Sequence, residues 1–110
     1  MEKRLRLSIK NLFDENVTVK RLRVGEILRI PTTIYVKNVT FCHLLLNFDK
    51  KFLNLLNGDI KTELEGGTYR RNIIFELMTL ESTSKNNIWV LLEARADDLV
   101  QTAGFFVEII

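Results

Sequence analysis

Polar and apolar side chains alternate with a period of two along most of this chain, the pattern of half-buried β-strands. The longest example begins at the turn residue Gly25 and spans residues 25–38. One parity of this segment carries Leu28, Ile30, Thr32, Ile34 and Val36. The other parity carries Ile27, Arg29, Thr33, Tyr35 and Lys37. We predict that this segment is a strand whose first parity faces the core, and that the other strands are organised around it.

Similar alternation recurs between clusters of turn residues such as Gly66-Gly67 and Asp97-Asp98. It predicts further strands over residues 4–10, 17–24, 40–48, 60–64, 68–80, 88–96 and 105–109. The second of these changes phase at Lys20-Arg21, which indicates a bulge or a switch between sheets. Seven or eight short strands with regular turns predict an all-β, immunoglobulin-like sandwich of antiparallel strands in two sheets. At 110 residues, the chain is expected to form one such domain over residues 1–110.

Three segments fit this pattern less well. Residues 49–56 contain Phe52, Leu53, Leu55 and Leu56, a spacing that could form a single helical turn over one end of the core. Residues 92–102 are rich in helix-forming residues, but the flanking strands favour a β conformation here too. Pro31 lacks an amide donor and should occupy a ladder position without a partner. Residues 11–16 are polar and predict a turn.

Charge is nearly balanced overall but unevenly distributed. Residues 1–51 carry eleven basic and five acidic side chains, whereas residues 52–110 carry five basic and nine acidic ones. This asymmetry supports an alternative hypothesis, a salt-sensitive nucleic-acid surface on the basic N-terminal half. Its candidate residues are Arg4, Arg6, Lys20, Arg21, Arg23 and Arg29.

The residues that usually carry catalysis or bind metals are sparse. His43 is the only histidine and Cys42 the only cysteine, and neighbours on a strand point to opposite faces. Neither a catalytic site, a metal site nor a cofactor is therefore predicted. The acids near turns, including Asp49, Asp59 and Asp97, leave open a calcium or carbohydrate site built from loops.

The outward parity carries more large apolar residues than a soluble surface usually needs. Apolar patches that contain aromatic residues and methionine are typical of protein interfaces. We therefore predict a protein-binding surface on an outer sheet face, for a second copy of the chain or a neighbouring domain; the alternative is that these side chains are dispersed or locally buried. The predicted interface residues are Tyr35, Ile74, Met78, Trp89, Leu91 and Phe106.

Several short segments in sequence order resemble known modules. Gly25-Glu26, Ile30-Pro31, residues 36–39 and residues 44–49 resemble the first half of a cohesin-type domain. Residues 64–67, 73–77 and 90–94 are similar to the immunoglobulin-like repeats of cell-surface adhesion proteins. The resemblance covers about residues 24–110 and implies a non-catalytic structural module. The sequence leaves the location open: we expect the cell surface or the extracellular space if the chain belongs to a larger protein, and the cytoplasm otherwise. No membrane-spanning segment is expected.

Overall fold

The computed structural model describes residues 2–10 and 19–110, and every regular element among these residues is a β-strand. No helix occurs in the described ranges, so they hold no helix that could cross a membrane. The strands are β1 Arg4–Ile9, β2 Val19–Leu22, β3 Ile27–Val39, β4 Cys42–Phe48, β5 Leu53–Asn57, β6 Lys61–Leu64, β7 Gly67–Thr79, β8 Ile88–Ala96 and β9 Leu99–Ile109.

The strands form two sheets, as the sequence predicts. Sheet I has the order β1-β3-β7-β5, and sheet II has the order β2-β9-β8-β4-β6. The all-β sandwich is therefore confirmed, with two differences in detail. The described residues form nine strands instead of seven or eight. One pair, β2 with β9, is parallel, whereas all other pairs are antiparallel.

The additional strand is β5, where a helical turn was a candidate. Asp49 ends the preceding segment with a tight turn, because its carbonyl accepts hydrogen bonds from the N–H groups of Phe52 and Leu53 at 3.1 Å. From Leu53 onward the backbone pairs with β7, and only Leu53 is fully buried. A run of apolar residues this short fits either conformation, and the free edge of β7 decides between them. Residues 92–102, the other segment with helical propensity, lie in β8, β9 and the turn between them.

The chain changes sheets between β1 and β2. β1 pairs with β3 in sheet I, while Val19–Leu22 runs parallel to residues 106–109 of β9 in sheet II. The change of phase predicted at Lys20-Arg21 is not a bulge, because β2 is continuous across these residues. The predicted turn at residues 11–16 and Val17 lie outside the described residues.

The core lies between the two sheets and is built from the inner parity of each strand. On β3 this parity is the predicted one, and Leu28, Ile30, Ile34 and Val36 are buried together with Thr32. Each of the large aliphatic side chains contributes about 1.5–3 kcal/mol by leaving water. The largest buried side chains of the other strands are Leu44, Leu53, Phe75, Leu77, Val90, Leu92, Val107 and Ile109.

The edge strands are short and the central strands are long. β1, β5, β2 and β6 span four to six residues each, whereas β3 and β7 span thirteen. The Pro31 carbonyl accepts the N–H of Lys10 at 2.8 Å, just beyond the last residue of β1. Short edges offer few free backbone groups to another sheet.

Candidate functional site

The two sheets divide the predicted interface residues into two separate groups. Tyr35, Ile74 and Met78 lie on the outer face of sheet I, where β3 pairs with β7. Trp89, Leu91 and Phe106 lie on the outer face of sheet II, where β8 pairs with β9. The outer faces of a sandwich point in opposite directions. The six residues therefore cannot form one surface, and each group has to be considered on its own.

Trp89 is the most prominent apolar side chain of sheet II. It lies directly opposite Phe106 in the β8–β9 pair, and the two ring centroids are 4.1 Å apart at an interplanar angle of 49°. Trp89 remains 58% exposed, while Phe106 is half-buried beneath it. Aromatic pairs in proteins typically contribute about 0.5–1.5 kcal/mol beyond the burial of their area. The pair is thus held in place while one large ring remains accessible.

Gly104 has no side chain, which allows its neighbour Leu91 to pack closely over the backbone of β9. It lies directly opposite Leu91, and a Cβ added at Gly104 would be 2.8 Å from Leu91 Cδ1 and 2.9 Å from the Val90 carbonyl oxygen. Leu91 therefore covers the space that a side chain would fill. The sequence prediction missed Gly104, although a glycine inside a strand is a signal of close approach. We call Trp89, Leu91, Gly104 and Phe106 the Trp89 face.

Polar groups border the Trp89 face on the side of β4 and the β7–β8 loop. A shallow groove beside Trp89 is lined by the polar residues Asn47, Asp49, Asn87 and Thr102 and by the apolar residues Phe48, Ile88 and Leu91. One Asp49 carboxylate oxygen is already occupied, because it accepts the backbone N–H of Lys51 at 3.0 Å. An apolar centre with a polar rim is the usual anatomy of a binding surface.

Charged side chains on the outer face of sheet II occur as neighbouring pairs of opposite sign. Salt bridges join Arg21 to Glu108 at 3.3 Å, Arg95 to Glu93 at 3.3 Å, and Lys61 to Glu63 at 3.5 Å. Exposed pairs of this kind add little stability. Their effect is to leave the described part of this face without a net excess of charge.

The residues of the predicted nucleic-acid surface are dispersed. Arg4 and Arg6 lie together on the outer face of β1, and Arg29 lies on the same sheet opposite Glu76. Arg21 is on the outer face of sheet II, Lys20 points to the other side of β2, and Arg23 lies between β2 and β3. Of the six predicted residues, only Arg4 and Arg6 are brought together. The prediction grouped the others with them because the sequence pattern does not reveal which sheet a strand joins.

Asp97 connects three chain segments at one end of the sandwich. Its carboxylate accepts the N–H and the hydroxyl of Thr40 at 3.0 and 2.5 Å and the N–H of Phe41 at 3.2 Å. The Lys3 ammonium lies 2.7 Å away, and the Asp97 side chain is only 8% exposed. The hydrogen bond from Lys3, followed by those from Thr40, holds the pKa of Asp97 far below its usual value. Asp97 is therefore a structural anchor for the β3–β4 and β8–β9 turns.

This anchor predicts a specific sensitivity to acid. A depressed pKa means that the ionised carboxylate stabilises the fold above its unfolded pKa, near 3.8, and that this contribution is lost as the pH falls below it. We expect Asp97→Asn to melt several degrees lower than the wild type at neutral pH, with the difference shrinking below about pH 4. Asparagine tolerates the positive φ of 53° at this position. Melting curves across pH test this, and a difference that stays constant with pH would contradict it.

Cys42 and His43 do not form a site. Cys42 is buried in the core, and burial raises the pKa of its thiol, which disfavours the reactive thiolate. His43 lies on the outer face of sheet II opposite Arg95 and Glu63. Among residues 2–10 and 19–110, no three His, Cys, Asp or Glu side chains are placed to hold a metal ion.

Comparison with known proteins identifies the architecture. No family model matches the chain, and no curated protein matches it. Among solved structures, it is similar to a family 123 glycoside hydrolase from Clostridium perfringens, studied for glycolipid glycan hydrolysis. The TM-score is 0.61 at 9% identity, and the match covers 96% of this chain but only 27% of the hydrolase chain. The likeness is thus one of fold, to a part of a much longer protein.

Proposed function

We propose that this domain is a non-catalytic association module that forms a homodimer through the Trp89 face. The observation that carries the proposal is the exposure of Trp89, which is held against Phe106 with 58% of its surface still accessible. Tryptophan is enriched among residues that dominate binding energy at interfaces. A large ring fixed in one orientation also loses little conformational entropy when a partner covers it.

The charge distribution favours a second copy of the chain as the partner. A two-fold symmetric contact brings a surface against itself, so any excess of one charge would repel its own copy. The three salt bridges on the outer face of sheet II leave no such excess among its described residues. The outer face of sheet I lacks this balance, because Arg4, Arg6, Lys37 and Arg70 lie close together.

The carboxylates with shifted pKa values are paired with basic side chains. The pKa values of Glu2, Glu65 and Asp97 are lowered, first by hydrogen bonds from Arg4, Arg71 and Lys3 respectively. Such pairs stabilise the ionised form, whereas a general acid needs a raised pKa. None of the three carboxylates belongs to the Trp89 face.

The structural neighbour supports the idea of a module. In the Clostridium perfringens hydrolase, the matching region is 27% of the chain, so a sandwich of this shape occurs there as one part of a larger protein. At 9% identity the likeness concerns the fold.

Trp89→Ser tests the proposal directly. We expect the wild type to dimerise in sedimentation experiments and the variant to dissociate at least about 30-fold more readily, since one residue of this kind contributes about 2 kcal/mol or more and a symmetric dimer loses both copies. Trp89 is the only tryptophan, so its emission should shift to shorter wavelength as the protein is concentrated. Ile27→Ser is the matched control, because Ile27 is similarly exposed on the outer face of sheet I.

Two results would contradict the homodimer. One is a wild-type protein that stays monomeric at high concentration, with the emission of an exposed indole throughout. The other is a dimer that Trp89→Ser leaves intact and Ile27→Ser weakens, which would place the contact on sheet I.

A further inference from the structure

Four basic side chains gather at one end of the outer face of sheet I. The register places Arg4 opposite Lys37, and in the next row Arg6 opposite Tyr35, which is itself opposite Arg70. Neighbouring strands are about 4.8 Å apart, and residues two apart on one strand are separated by about 7 Å. The backbone positions of the four cations therefore fall in two adjacent rows, with Tyr35 among them. We call these five residues the Tyr35 basic cluster.

This cluster is poorly neutralised. Within the described ranges, Glu2 bonds Arg4 at 2.9 Å, and no salt bridge is formed by Arg6, Lys37 or Arg70. By contrast, each basic residue in the three salt bridges on the outer face of sheet II is paired with an acidic residue of the same face. The concentration of positive charge is therefore a property of this one region, and it attracts a ligand with several negative charges.

The neighbouring row supplies neutral hydrogen-bonding groups. Ser8, Thr33 and Asn72 lie side by side across β1, β3 and β7. The Thr33 hydroxyl donates to Asn72 Oδ1 at 2.9 Å, which leaves the Asn72 amide N–H groups for other partners. Together with Arg4, Arg6, Tyr35 and Arg70 of the cluster, these three residues line a single groove. The strongly exposed apolar residue Ile27 lies at the other end of the sheet, opposite Met78.

We propose that the Tyr35 basic cluster binds single-stranded nucleic acid. Arg4, Arg6, Lys37 and Arg70 would contact phosphates, and Tyr35 would stack on an unpaired base. Proteins that bind single strands combine a positively charged track with aromatic side chains in this way. A duplex conceals the faces of its bases and is read by elements that enter a groove. The outer face of sheet I is an open β-sheet surface, which suits a single nucleic-acid strand with unstacked bases better than a duplex. An anionic membrane would favour apolar side chains beside the cations, and these lie at the opposite end of the face.

Fluorescence anisotropy with a labelled oligo(dT) of about 12 nucleotides tests the proposal, with oligo(U) as the RNA counterpart. Four phosphate contacts predict that log K falls with log salt with a slope of about −3. Arg6→Ser combined with Arg70→Ser should reduce the slope to about −1.4. Arg21→Ser combined with Arg95→Ser removes the same charge from sheet II and should leave the slope near the wild-type value.

Tyr35 provides a readout that charge alone would not affect. Tyr35→Leu should weaken binding about tenfold without changing the salt slope, since stacking on one base is lost. Tyr35→Phe keeps the ring and should bind as the wild type does. Melting curves of each variant confirm that the fold is retained, and the two arginine pairs remain informative if Tyr35→Leu does not fold.

Several outcomes would overturn the proposal. They are an absence of binding to either single strand at low salt, equal loss of affinity from both arginine pairs, and binding to Tyr35→Leu that matches the wild type. Tighter binding to duplex DNA, to an acidic peptide or to anionic vesicles than to oligo(dT) and oligo(U) would also overturn it. Tighter binding to oligo(U) than to oligo(dT), or the reverse, supports it and identifies which of the two strands is preferred.

Discussion

Replacing Phe75 by alanine is expected to destabilise the domain by about 3–5 kcal/mol, the usual loss for a fully buried phenylalanine. Phe75 lies on β7 opposite Ile30, in the interior of sheet I, and neither side chain is exposed. A Cβ added at Gly58 would be 2.6 Å from Phe75 Cδ1, so the ring also fills the space beneath this turn. The shortened side chain would leave a cavity bounded by two strands and a loop.

Urea unfolding followed by circular dichroism measures this loss. Ile74→Ala is the matched control, because Ile74 is the preceding residue on the same strand but points outward and is 36% exposed. We expect the control to cost less than about 1 kcal/mol. Similar losses for the two variants would mean that β7 does not present Phe75 to the core.

Gly66→Ala is expected to cost about 3 kcal/mol, at the upper end of the range for overpacking. A Cβ at this position would be 2.5 Å from the Thr40 carbonyl oxygen and 2.8 Å from that of Val39. Both obstacles are backbone atoms of the β3–β4 turn, so no side-chain rotation can relieve the contact. Thr40 also donates to Asp97, so a displaced Thr40 would weaken that hydrogen bond. The variant should therefore lose less stability than the wild type when the pH falls below about 4.

Gly25→Ala is the control for this experiment. Gly25 has a φ of 89°, and a Cβ there would meet no atom within 4 Å, so the substitution costs only backbone strain of about 1–2 kcal/mol. Chemical unfolding gives the free energy of unfolding of both variants. It compares the steric cost at Gly66 with the backbone strain at Gly25. A Gly66→Ala variant as stable as Gly25→Ala would show that the β3–β4 turn can move away.

Side-chain parity could be predicted from the sequence because it is a local property. On β3, alternation alone identifies Leu28, Ile30, Ile34 and Val36 as core residues, and all four are buried. On β8, the same reasoning places Val90 and Leu92 inside and Trp89 outside. Burial on one face fixes the register of a strand, so the pattern is strongly constrained wherever a core exists.

Sheet membership could not be predicted, because it depends on pairings between distant residues. Tyr35 and Trp89 have the same outward parity, but they lie on different sheets and face in opposite directions. For the same reason the Tyr35 basic cluster was invisible in the sequence, since Arg6, Tyr35 and Arg70 come from three separate segments. Only cross-strand register shows that they are neighbours.

The position of β9 affects how the protein can be made. β9 lies between β2 and β8, so Val19–Leu22 has no ladder partner in sheet II until residues 106–109 have been synthesised. During synthesis Leu22 therefore lacks its partner strand until β9 has been made, and the free side of β8 stays unpaired while residues 97–109 are added. Unpaired strands of this kind are prone to aggregate, so rapid pairing of β9 with β2 and β8 should protect the domain during synthesis.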